Sequence, residues 1–274
     1  MNFVDRALAR RLESAEEIPQ VYHAQAYETS RPQTGAAVEK ISGGHVMFAG
    51  LGSPIGHAAG LGLDCPFTSE DLDRVEEFYR RHQAPSQVDL TPLHEPAVFE
   101  MFKQRGYALA ELNNVLWRQL EPLEEMPCCP PGVHIARGRP QEANTFAGIL
   151  ARCFHEYKNP PEGFDEMLRP LYAMPGAITF VASDGDKPVA VAAGLIIPEH
   201  KVLALFGAGT LPEYRCRGMQ AAMLGTRLQA GREAGCEIAV VVTQGGTVSQ
   251  RNCERLGFRV AYSKVTLIKN FNQS

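Results

Sequence analysis

What the chain lacks limits its role before any motif is read. No apolar run approaches the ~18 residues that a membrane-spanning helix needs. The opening stretch MNFVDRALARRLESAEE carries charges throughout an amphipathic helical pattern, without the apolar core or small-residue cleavage site of a signal peptide. A cytoplasmic protein is expected. Positive charge is not in excess either: 27 Lys and Arg stand against 31 Asp and Glu, a net charge of -4. Nothing therefore marks a nucleic-acid or anionic-membrane surface. The seven cysteines (Cys65, Cys128, Cys129, Cys153, Cys216, Cys236, Cys253) are odd in number and form no CxxC pair. The histidines show no HxH or HExxH spacing. Both a disulfide framework and a metal site are disfavoured, so reduced thiols and surface or packed histidines are expected.

What is present is the composition of a soluble globular protein, 45% apolar and 21% charged over 274 residues, enough for one large domain or two ordinary ones. A seam lies at EPLEEMPCCPPG, 121–132, where four prolines and three glutamates can sustain neither a helix interior nor a central strand. It separates expected domains at 1–125 and 132–274. After the seam, HIAR (134–137) reads as a strand and QEANTFAGILARCFHEY (141–157) as an amphipathic helix, with a short helix at 164–173. AITFVAS (177–183) and KPVAVAAGLIIP (187–198) flank Asp184-Gly185-Asp186, the punctuation of an antiparallel hairpin. The strand VLALFGAGTL (202–211), a helix at 216–233 and the unbroken apolar strand CEIAVVVT (236–243) follow. A short helix at 248–256 then stops at Gly257 before the strand FRVAYSKVTLI, 258–268.

The first half repeats part of this order: strands at HVMFAG, HAAGLGLD and SQVDLTPL, and a helix at 69–83. EPAVFEMFKQRGYALAELNNVLWRQL (95–120) shares the helix, Gly-aromatic, strand design of SQRNCERLGFRVAYSKVTLIK, with Gly106 on Gly257 and Tyr107 on Phe258. Tandem duplication is one reading. A common way of leaving a helix is the other.

The chemistry is concentrated at LPEYRCRGMQAAML, 211–224. Pro212 ends a strand because it has no N–H, and Gly218 admits a ligand close to the backbone. The helix that opens there offers unpaired N–H groups and the positive end of its dipole. Arg215 and Arg217 add full charges, which suits a diphosphate better than a carboxylate. No Lys-Ser/Thr pair follows the glycine, so this is not a nucleotide P-loop. The glycines of GLGSPIGHAAGLG (50–62) do not fit a dinucleotide loop either, since Pro54 interrupts them and no helix follows directly.

This loop resembles the cofactor loop of the GNAT superfamily of acyl-CoA-dependent N-acyltransferases, Arg/Gln-x-x-Gly-x-Gly/Ala at the start of the helix after the fourth strand. Arg215 and Gly218 match, Gln220 stands where Gly or Ala is usual, and Leu256-Gly257-Phe258 resembles the family's motif after its last helix. The resemblance covers roughly 132–270. It implies an α/β protein of two GNAT-like domains, each a mixed, mostly antiparallel sheet flanked by helices, the first degenerate and the second catalytic. It implies acetyl-CoA as acyl donor. Main-chain groups of Ala208, Gly209 and Thr210 would meet the pantetheine arm, and amides of Cys216, Arg217, Gly218, Met219, Gln220 and Ala221 the pyrophosphate, beside Arg215. In the first half the corresponding place reads Pro66-Phe67-Thr68-Ser69-Glu70-Asp71, a helix start with Thr68 as N-cap and acids that repel a diphosphate.

Acid–base groups are less marked. The family's frequent glutamate on the fourth strand has no counterpart in VLALFGAGTL, which leaves Glu156 and Glu213 as the nearest carboxylates. The usual tyrosine acid, four residues before the glycine, is Cys253 here, and Tyr262 offers a second phenol. Water could also protonate the leaving thiolate. The expected activity is transfer of an acetyl group to a primary amine of a small molecule or peptide by direct attack. The alternative is a protein that binds or senses acyl-CoA without turnover.

Overall fold

The computed structural model describes residues 3–51, 53, 55–121, 127–155 and 159–271. Two compact units divide the chain, and neither is continuous in sequence. The first comprises 1–116, 242–247 and 260–274, the second 117–241 and 248–259. The strand at 260–269, expected with the second half, is thus counted with the first. Residues 122–126 of the proline-rich seam lie outside the described residues.

The first unit opens with helix α1 (Arg6–Ser30), capped by the Asp5 carboxylate, which accepts from the Leu8 amide at 2.8 Å. Strands β1 (Ala37–Ile41) and β2 (Gly44–Phe48) form a hairpin whose two turn residues, Ser42 and Gly43, both have positive φ (46° and 82°). The expected strand HAAGLGLD is reduced to isolated bridges, His45 with Ala59 and Ala58 with Val88, because glycines at 60 and 62 turn the chain away with φ of 72° and 71°. Helix α2 (Ser69–Arg81) leads to β3 (Ser86–Leu90), and α3 (Pro96–Gln104) to β4 (Ala108–Gln119). Val46, Leu72, Val75, Phe78, Val88, Leu90 and Phe102 meet in its core.

The second unit contains β5 (Val133–Arg137), α4 (Ala143–Phe154), α5 (Phe164–Leu168), α6 (Pro170–Ala173), β6 (Ala177–Asp184), β7 (Lys187–Ile197), β8 (Val202–Thr210), α7 (Met219–Glu233), β9 (Ile238–Gln244) and α8 (Val248–Arg255). β5 to β8 pair antiparallel in sequence order, and β9 pairs parallel with β8. The three outermost residues of β9 count with the first unit, as do those of β10 (Arg259–Lys269) after Arg259. α4 and α7 both pack on β7 and β8, and small residues make room for them. A Cβ on Gly231 would lie 2.6 Å from Leu203, and one on Gly209 would lie 2.7 Å from the Cβ of Cys153.

β10 pairs antiparallel with β3, from Val265 opposite Leu90 to Lys269 opposite Ser86, and lies between β3 and β4. The two helix stops that feed β4 and β10 share two hydrogen bonds. Gly106 donates to Lys103 and Tyr107 to Phe102, while Gly257 donates to Glu254 and Phe258 to Cys253. The sequence likeness between 95–120 and 249–269 therefore extends to these two bonds, while the preceding residues differ, Arg105 donating to Met101 and Leu256 to Cys253.

Candidate functional site

β8 is regular only at its beginning. Its ladder with β9 runs from Val202 opposite Ile238 to Leu205 opposite Val241, and Phe206–Thr210 continue beyond it along β7. On the β7 side the register changes in the same place. Ala193 faces Phe206 and Val191 faces Gly209, so Gly207 and Ala208 together stand opposite Ala192. This is a β-bulge, with Gly207 in the left-handed region at φ 52°. The half-buried groups of Ala208, Gly209 and Thr210 thus lie on a strand end that has left its parallel neighbour. Gly209 is needed for a second reason, since α4 brings Cys153 directly over it.

From Thr210 the chain makes one tight turn at Pro212–Tyr214, with Tyr214 donating to the Leu211 carbonyl and Arg215 to that of Pro212. Arg215 folds back so that its Nε donates to the Thr210 carbonyl at 3.1 Å. Cys216 is exposed at φ 60°, an uncommon conformation that costs a non-glycine residue about 1–2 kcal/mol. Gly218, at φ 82°, is the N-cap of α7 and supplies no side-chain acceptor for the first-turn amides of Met219, Gln220 and Ala221. Two cations flank the Tyr214 ring, Lys187 at 5.1 Å and Arg217 at 5.2 Å. An uncapped helix mouth that directly follows Arg215 and Arg217 attracts a multiply charged anion. The start of α2 is built the opposite way. Thr68 Oγ1 accepts from the Asp71 amide, and Asp71 Oδ2 accepts from the Thr68 amide at 2.9 Å, a complete capping box.

Residues 145–258 match the acetyltransferase (GNAT) family. They form a GNAT domain. Among solved structures, the chain resembles a GCN5-related N-acetyltransferase from Kribbella flavida with a TM-score of 0.62 and 18% identity, over 90% of this chain and 95% of that one. It resembles a tandem GNAT protein from the clavulanic acid biosynthesis pathway with a TM-score of 0.63 and 12% identity, over 87% and 80%. A GCN5-related N-acetyltransferase from Sphaerobacter thermophilus gives a TM-score of 0.58 and 17% identity, over 85% and 75%. These likenesses concern the fold, which is mixed α/β with mostly antiparallel pairing flanked by helices, as expected. A comparison with curated proteins finds no match.

Within the GNAT domain the expected cofactor residues follow one another along the chain from the end of β8 to the first turn of α7. Ala208, Gly209 and Thr210 end β8, Arg215, Cys216 and Arg217 make the turn, and Gly218 to Ala221 open α7. The Gln220 side chain points away from this role, since its Oε1 accepts from Asn252 Nδ2 and ties α7 to α8. Cys253 is buried on α8. Burial pushes its thiol up to about 11, against the pull of Arg227. Glu213 is exposed in the turn, and Glu156 lies outside the described residues. Tyr262 belongs to the first unit, where its hydroxyl donates to Glu13 Oε1 at 2.8 Å. Burial and the Glu13 charge push its pKa up.

One side chain in the GNAT domain escapes a reading of the sequence. Arg227 lies on the buried side of α7 with Met223, Leu224, Leu228 and Gly231, and is only 4% exposed. Its hydrogen-bond partners are main-chain carbonyls: Nε donates to Met223, and Nη1 to Ala193 at 2.9 Å and Phe206 at 3.5 Å. Burial lowers its pKa to about 10, so the guanidinium remains charged at neutral pH. The sequence of α7 has no marked amphipathic pattern, so nothing local sets this arginine apart from a solvated one.

Proposed function

We propose that the chain transfers an acetyl group from acetyl-CoA to a primary amine of a small molecule or peptide. The observation that carries this reading is the pairing of two features in one domain: a helix mouth left uncapped just after two arginines, and a strand end that leaves its parallel partner immediately before it. The amides of Cys216 to Ala221 hold the pyrophosphate, assisted by Arg215 and Arg217, and the main chain of Ala208 to Thr210 holds the pantetheine arm. The neutral amine attacks the thioester carbonyl, a strand amide steadies the developing oxyanion, and the C–S bond breaks to give the amide and the CoA thiolate. The amine proton passes to water. A second proton from water completes CoA, because Cys253 at about 11 is a poorer donor than an ordinary thiol.

Neither Cys253 nor Tyr262 is poised as an acid, and β8 carries no ionisable side chain, which also favours a second reading in which acyl-CoA is bound without turnover. One experiment separates the two. The full chain is titrated with acetyl-CoA by calorimetry and then incubated with amines, polyamines, amino acids, aminoglycosides and peptide N-termini while free CoA is followed. Transfer predicts binding plus acceptor-dependent CoA release, whereas sensing predicts binding alone. Gly218→Glu abolishes binding on either reading, because a carboxylate then occupies the helix mouth. Undiminished affinity in that variant would remove the basis of both.

A further inference from the structure

Arg227 has no place in the transfer chemistry just described, yet it is a buried cation held on carbonyls alone, an arrangement that is costly to desolvate. Its two strand partners are not arbitrary. Ala193 and Phe206 are the last pair in register before the bulge, so the guanidinium spans β7 and β8 where their ladder is disturbed. No peptide bond among the described residues is cis. The Phe206–Gly207 peptide is therefore trans, and its N–H points opposite to the carbonyl that Arg227 holds. The left-handed Gly207 then redirects the chain, so the peptide's orientation is fixed by Arg227 on one side and by the bulge on the other. A charged donor on the oxygen of a peptide also polarises its N–H, which becomes a stronger donor in a medium of low dielectric.

We infer that Arg227 is a positioning residue that orients and polarises the Phe206–Gly207 peptide so that the Gly207 amide receives the thioester carbonyl of the acyl donor. The inference rests on the acyltransferase reading above and adds to it which strand amide meets the oxyanion and what holds that amide in place. It also gives β8 a function that its sequence, without any ionisable group, does not announce. The buried charge acts on the reacting carbonyl through one peptide, with no contact to the substrate.

The test needs no acceptor. The full chain is mixed with acetyl-CoA labelled with carbon-13 at the carbonyl, and the infrared band of that carbonyl is compared bound and free, alongside calorimetric affinity. The wild-type protein is expected to shift the band to lower frequency, and Arg227→Met to lose at least half of that shift while its Kd for acetyl-CoA stays within about threefold. Arg227→Gln, which keeps a neutral donor of similar length, serves the same comparison if the Met variant does not fold, with the same criterion. A full wild-type shift in a folded, binding variant would overturn the inference. So would a wild-type protein that binds without any shift, which leaves the binding reading intact, or a variant whose affinity falls more than tenfold along with the shift, which makes Arg227 a part of the general frame. Failure of the wild-type protein to bind acetyl-CoA would instead remove the reading beneath it.

Discussion

Asp89 in the first unit gathers donors around a single buried carboxylate. His57 Nδ1 lies at 3.3 Å, Lys264 Nζ at 3.2 Å and Thr266 Oγ1 at 2.6 Å, and Lys264 also meets Glu13 and Glu16. Neutralising Asp89 takes its carboxylate from His57 and leaves the buried Lys264 with Glu13 and Glu16 alone, so Asp89→Asn is expected to cost about 3–5 kcal/mol in denaturant unfolding. The imidazole reports the same change. Burial pulls the His57 pKa down, but the charge and hydrogen bond of Asp89, with Glu111, outweigh it and the net direction is up. A raised folded value means that the His57 contribution is fully present below its unfolded pKa of about 6.5 and fades as pH rises through the folded value. NMR titration should find His57 above its ordinary value in the wild-type protein and lower in Asp89→Asn. Tyr262→Phe breaks a hydrogen bond to a charged carboxylate and should cost about 2 kcal/mol of stability. Both it and Cys253→Ala should leave kcat within threefold once an acceptor is known, and a loss of about a hundredfold in either would restore that residue as the acid.

At the scale of the element, the loop from β8 to α7 makes a prediction that depends on exposure alone. Cys216 is solvent-exposed and sits among the amides proposed to hold the pyrophosphate, whereas Cys253 is buried with its thiol pushed up to about 11. Alkylation followed by mass spectrometry should therefore label Cys216 and spare Cys253, and saturating acetyl-CoA should slow the labelling of Cys216 at least tenfold. Gly209→Ala should destabilise the chain by about 1–3 kcal/mol, because its Cβ would press on Cys153 and α4 must move. The loop is legible in sequence because its glycine and arginines act through fixed local chemistry, and the helix stops at Gly106 and Gly257 are legible for the same reason. Arg227 is not, because its value depends on a bulge set by strand register. Strand β1, Ala37–Ile41, carries no marked alternation, and only its partner β2 makes it a strand.

Across the whole molecule, the complete capping box at Thr68 and Asp71 occupies the first-turn amides of α2 that the α7 start leaves open, so titration should saturate at one acetyl-CoA per chain. A stoichiometry of two would show that the α2 helix start had been misjudged. What sequence patterning does not reveal is the partner of β10, since pairing between strands that are distant along the chain leaves no local trace. The position of β10 between β3 and β4 has a consequence in time. Its first residue follows the end of β4 by roughly 140 residues of chain. At 5–20 residues per second, the unit begun first on the ribosome waits on the order of ten seconds for its middle strand. During that interval β3 and β4 present edges that invite the wrong neighbour, so a nascent chain stalled before Arg259 should be held by chaperones through its early segment, although the residues still missing are its latest.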